Sequence, residues 1–111
     1  MNLKGMIISY DVITRFCERH RVKRLSMFGS ILREDFGPES DVDILVEFLP
    51  GVAYSLFDLG GMLMELRELV GREVDLKTPG FLSPQFRGHV VAESRTLMPR
   101  KGEDAKLTDR D

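Results

Sequence analysis

Gly29-Ser30, ten intervening residues and then Asp41-Val42-Asp43 form the first group whose residue types and spacing could do chemistry. The second is Asp75, an acid flanked by hydrophobes in Val74-Asp75-Leu76. Alternate residues of a β-strand share a face, and two steps cover about 6.6 Å. On a strand, the carboxylates of Asp41 and Asp43 therefore project side by side, while Val42, Ile44 and Val46 point into a core. Two adjacent anions repel one another, and a divalent cation removes that conflict. Magnesium prefers one or two carboxylates together with substrate phosphates and water. A pair of such ions about 3.5–4 Å apart can stabilise both the attacking and the leaving oxygens of an in-line displacement.

Gly29-Ser30 complements the acids. It ends a short apolar run, and glycine lets the backbone approach a ligand closely. A serine hydroxyl and main-chain N–H groups can then cradle phosphate oxygens. Asp75 repeats the pattern of one acid between β-formers, and it joins the other two on one rim if its strand lies beside theirs in register. Taken singly, each acid also reads as a solvent-facing residue at a strand start or on an edge strand. The four fixed positions coincide by chance in about one such chain per thousand, which favours the joint reading.

These residues need elements to hold them. Val12, Ile13, Phe16 and Cys17 recur at helical spacing, predicting a helix from Ser9 to His20 with Ser9 as N-cap. Leu25 to Phe28 reads as a short strand and Asp41 to Phe48 as the clearest one, closed by Pro50-Gly51. A second helix is expected over Leu56 to Val70, with Leu56, Leu59, Leu63, Leu66 and Val70 as its core stripe and Gly71 as its C-cap. Gly60-Gly61 weakens that helix by roughly 1 kcal/mol per residue, for no reason legible in the sequence. Glu73 to Leu76 is a third strand, ended by Pro79-Gly80. A last helix is expected from Ser83-Pro84, carrying Phe86, Val90 and Leu97 on one face and stopped by Pro99.

The 111 residues suit one domain over residues 1–99, followed by a polar tail over 100–111 expected to be disordered. Hydrophobic residues are 42% and charged residues 31%, ordinary globular values. A net charge of −2 offers no general attraction to nucleic acid, so no direct nucleic-acid binding is expected. With neither a membrane-spanning run nor a signal-peptide pattern, a cytoplasmic location is expected. Cys17, the single cysteine, excludes an internal disulfide and reads as a small core hydrophobe. His20 and His89 are far apart and read as solvated or capping imidazoles. The basic run Arg19 to Arg24 reads first as a solvated helix end, and second as a contact surface for phosphate or an acidic partner.

Phe28-Gly29-Ser30-Ile31-Leu32-Arg33-Glu34-Asp35 with Ser40-Asp41-Val42-Asp43-Ile44-Leu45-Val46 closely resembles the minimal nucleotidyltransferase family of the DNA polymerase beta-like superfamily. Leu69-Val70-Gly71-Arg72-Glu73-Val74-Asp75-Leu76 is similar to the family's third-carboxylate strand, and the likeness spans Val12 to Leu97. The resemblance implies an α+β fold, a small mixed β-sheet with helices packed on one face and the metal site at its rim. It implies that Asp41 and Asp43 bind two Mg2+ ions, and that Asp75 completes the catalytic metal site and helps deprotonate the acceptor. Gly29 and Ser30 would hold the triphosphate of ATP. Arg33 and Asp35 match common motif positions, with a local ion pair as good a reading as a chemical role.

Family members commonly act as antitoxins beside a HEPN ribonuclease toxin. The resemblance thus implies transfer of AMP from ATP to a toxin tyrosine, in a possible hetero-oligomer. The modest length leaves little surface for gripping a second substrate, which also suits a folded protein acceptor. A non-catalytic antitoxin acting by binding, or nucleotidyl transfer to a small molecule or RNA, are the alternatives.

Overall fold

Local signals set α1 (Tyr10–His20) and α2 (Leu56–Val70). In the computed structural model, which describes residues 2–3, 6–29, 37, 40–81, 88 and 94–98, α1 spans Tyr10–His20. The Ser9 hydroxyl accepts from the Val12 N–H at 3.4 Å, Asp11 sits in the first turn, and Arg19 and His20 complement the dipole in the last. Arg21 ends the helix in the left-handed conformation, φ 57°, as the chain's one described non-glycine residue at positive φ. The second helix, α2, spans Leu56–Val70, and Ser55 and Asp58 form a reciprocal capping box at its start. Gly71 closes α2 at φ 75°, with its N–H on the Arg67 carbonyl at 2.8 Å.

The strands are β1 (Asn2–Leu3), β2 (Met6–Ile7), β3 (Val22–Phe28), β4 (Val42–Phe48), β5 (Val74–Lys77) and β6 (Arg95–Met98). The first two form a small antiparallel pair that the sequence did not announce. The others make a mixed sheet in the order β5-β4-β3-β6, with β4 and β5 parallel and β3 antiparallel to both β4 and β6. Ile13, Phe16 and Cys17 of α1 and Met62, Leu66 and Val70 of α2 pack with Leu25, Met27, Val42, Ile44 and Val46 in one buried cluster. Helices thus cover one face of a mixed sheet, the α+β architecture expected. The opposite face carries Phe28 and Leu45 as a smaller cluster, and with them Asp43.

Several expectations change. Leu97 lies on β6 and not on a helix, because β6 supplies ladder partners to β3, with Met27 opposite Arg95 and Leu25 opposite Met98. Of the remainder of that predicted helix up to Leu97, Gly88 is described and helical, and Ser94 is described outside any helix. Phe86, Val90 and Pro99 lie outside the described residues, as does the tail 100–111. β3 begins at Val22, three residues early, so the basic run spans a helix end, a turn and a strand. Arg19 pairs with Glu65, and Arg24 faces Glu47 across the β3–β4 ladder at 3.9 Å. Leu56 is 76% exposed and is not core: at about 100° per residue it stands roughly 80° from the centre of the Met62–Leu66–Val70 stripe. Phe57, 93% exposed, points almost directly away. A Cβ placed on Gly60 or Gly61 would meet nothing within 4 Å among the described residues, so their packing does not require that pair.

Candidate active site

β4 has one buried face and one mixed face, and this alternation aims Asp43. Val42, Ile44 and Val46 are fully buried, while half-buried Asp43 emerges on the other side. The parallel pairing of β4 with β5 places Asp43 directly opposite Asp75, as Val42 lies opposite Val74. Neighbouring strands run about 4.8 Å apart, so the backbone brings these two acids together. The neighbourhood expected for Asp75 is therefore present. Asp41 is exposed and lies one residue before β4, so the ladder that orients Asp43 does not extend to it.

On the far side of β4, Phe28 of β3 pairs with Asp43, and Gly29 follows it at φ 71°. The Asp43 carboxylate rests against the Gly29 backbone. A Cβ at Gly29 would stand 3.1 Å from Asp43 Cγ and nearer still to Oδ2. Glycine is needed here twice, once for the left-handed φ and once for the close approach. Ser30, the other half of the expected phosphate cradle, lies outside the described residues, as do Arg33 and Asp35.

Asp75 is half-buried and pairs with Lys77, whose Nζ stands 3.4 Å from Oδ1. The two residues are two apart on β5 and share its face. Among the described residues, no three acid, imidazole or thiol groups converge tightly enough to form a ready-made metal site. The oxygen donors of Asp41 and Asp43 fit magnesium in kind, since that ion takes one or two carboxylates and completes its shell with phosphates and water. A depression of 470 Å³ lined by Met64, Arg67, Glu68, Gly71, Arg72 and Glu73 contains none of the three acids.

The remaining titratable candidates are structural. Cys17 is buried, and burial pushes its thiol up to about 12, removing it as a nucleophile. His20 packs on Phe16 with centroids 4.6 Å apart and meets Glu65 at 3.2 Å through Nε2. The hydrogen bond from Arg19, helped by that of His20, holds the Glu65 carboxyl below its usual value against the opposing effect of burial. His89 lies outside the described residues. Sequence reasoning missed Arg72, whose contacts are long-range. It also missed Lys77, although its place two residues after Asp75 was a readable signal.

The nucleotidyltransferase domain model matches residues 10–97. The chain belongs to the nucleotidyltransferase domain family. This nucleotidyltransferase is 42% identical over 76 residues to a "Putative protein adenylyltransferase" of Methanocaldococcus jannaschii, across 68% of this chain and 80% of that one. A solved "putative minimal nucleotidyltransferase" superposes with a TM-score of 0.64 at 32% identity, over 77% of this chain and 85% of its own. A solved complex of a tri-AMPylated Shewanella oneidensis HEPN toxin with MNT antitoxin matches with a TM-score of 0.57 at 18% identity, over 86% and 74%. At that identity the last likeness concerns the fold. Among the described residues no helix of the nucleotidyltransferase is long and apolar enough to cross a membrane.

Proposed function

We propose that this nucleotidyltransferase is a magnesium-dependent protein adenylyltransferase that moves AMP from ATP onto a tyrosine hydroxyl of a HEPN-type partner, acting as its antitoxin. The observation that carries the reading is the register of β4 and β5, which sets Asp43 beside Asp75 while the Asp43 carboxylate lies on Gly29. The similarity to a relative named as a protein adenylyltransferase supports a protein acceptor. The fold shared with an antitoxin solved beside an AMPylated HEPN toxin supports that class of partner.

In this reading Asp41 and Asp43 would hold magnesium, which would supply charge neutralisation at the triphosphate of ATP and at the departing pyrophosphate. Gly29, which has no side chain, lets the backbone beside Asp43 approach the phosphates. Asp75 accepts the proton of the acceptor hydroxyl. The acceptor oxygen then forms its bond to the α-phosphorus as the bond to the β-phosphate bridge breaks, and pyrophosphate leaves.

Co-expression of a HEPN-type partner with the parent and with Asp43→Asn, followed by intact mass spectrometry, tests the proposal. The parent should add one or more AMP units to the partner at a tyrosine, and the variant none. A partner left unmodified yet neutralised in both samples would mean that binding is the function. Modification of an added small molecule or RNA in place of the partner would reassign the acceptor.

A further inference from the structure

We propose that Arg72 is a positioning residue for Asp41, fixing from the β5 side an acid that the β4 ladder does not reach. This rests on the reading of Asp41 as a magnesium ligand. The main chain on each side of Asp41 is held by two consecutive residues that lead into β5. Arg72 Nη2 donates to the Ser40 carbonyl at 2.7 Å, and the Val42 N–H donates to the Glu73 carbonyl at 2.9 Å. Asp41 is thus bracketed by neighbours of Asp75.

The same Arg72 nitrogen donates to the Gly37 carbonyl at 2.5 Å. Gly37 and Ser40 are joined by two further bonds. The Ser40 N–H donates to the Gly37 carbonyl at 3.1 Å, and the Gly37 N–H to the Ser40 hydroxyl at 3.1 Å. One guanidinium therefore gathers Gly37 and Ser40, themselves bonded to each other, immediately before Asp41. Arg72 is half-buried and directly follows Gly71, whose left-handed conformation turns the chain out of α2. The end of α2, the Gly37 and Ser40 carbonyls ahead of β4 and the approach to β5 are tied at one side chain.

Arginine suits the task. Its planar guanidinium is always charged and directs several donors at fixed angles, and bonds from a charged donor are stronger than neutral ones. Lysine offers a point charge on a flexible stem and cannot reproduce that geometry. Partners that orient metal ligands commonly affect metal affinity by about 10–100-fold when removed.

The test uses the full chain and reads binding of a fluorescent ATP analogue, titrated with magnesium chloride well below the melting temperature of every variant. Arg72→Gln should raise the magnesium concentration for half-maximal binding by about tenfold, and Arg72→Lys by a smaller factor. Combined with Asp41→Asn, Arg72→Gln should add less than about twofold, because residues acting through one another are not additive. A role confined to folding would lower the melting temperature and leave the magnesium midpoint in place.

An unchanged midpoint in Arg72→Gln, or a full tenfold shift persisting in the Asp41→Asn background, would overturn the inference while leaving the magnesium site intact. An unchanged midpoint in Asp41→Asn alone would instead remove the reading on which the inference rests. If Arg72→Gln does not fold, Arg72→Lys carries the same comparison, and an unmoved midpoint there overturns the proposal.

Discussion

Replacing Gly29 by alanine perturbs the site and the backbone together, and Gly71→Ala separates the two. Both glycines sit in the left-handed region, at φ 71° and 75°. A side chain in that conformation costs about 1–2 kcal/mol. At about 4–8 °C per kcal/mol for a domain of this size, each variant should melt roughly 5–15 °C lower than the parent. An added Cβ at Gly71 meets nothing within 4 Å, so its cost ends there. At Gly29 the new methyl overlaps Asp43 Oδ2, and the carboxylate must retreat by about 1 Å to regain ordinary contact. Because the obstacle is the tip of a side chain, that retreat adds little to the stability loss and falls on the geometry of the acid. A misplacement of this size costs on the order of 10²-fold in rate. Transfer of AMP assayed well below both melting temperatures should therefore fall about a hundredfold in Gly29→Ala and little in Gly71→Ala. Equal activity in the two variants would refute the argument that the Gly29–Asp43 contact sets the site.

Lowering the pH should expose the Glu65 pairing. Its carboxyl titrates lower folded than unfolded, so its contribution is present above the unfolded value of about 4.5 and is lost as pH falls through the folded one. Glu65→Gln should accordingly show a shallower loss of thermal stability on acidification below that value, and an unaltered acid limb would contradict the pairing. Cys17, with its thiol at about 12 and 2% exposure, should resist a thiol reagent in the native state and react fully in denaturant. Leu66→Ala, at a fully buried position between helix and sheet, should cost about 2–5 kcal/mol in chemical denaturation. Phe57→Ser, at 93% exposure, should stay within about 0.5 kcal/mol of the parent, and a larger loss would show that this side chain packs.

The sequence by itself determined what short-range physics controls. Ser9 and Gly71 mark helix ends because capping involves atoms within a few residues. The alternation of Asp43 with Val42, Ile44 and Val46 follows from the two-residue period of a strand, and so do the buried and exposed sides of β4. The span of α2 was legible, but the depth of its stripe was not. Leu56 satisfies the helical period yet stays in water, since burial depends on what stands opposite.

Long-range pairing was decided only in three dimensions. Leu97 fits either a helix face or a strand, and the open edge of β3 selects the strand. The meeting of Asp43 with Asp75 depends on the parallel register between segments about thirty residues apart, which no local pattern encodes. Asp41, one residue outside the ladder, illustrates the limit most clearly. Its type and spacing were readable, whereas the backbone that holds it is set by Arg72 and Glu73, the residues that lead into β5. Spacing names the groups able to do chemistry. Register and side-chain contacts across the fold determine where those groups stand.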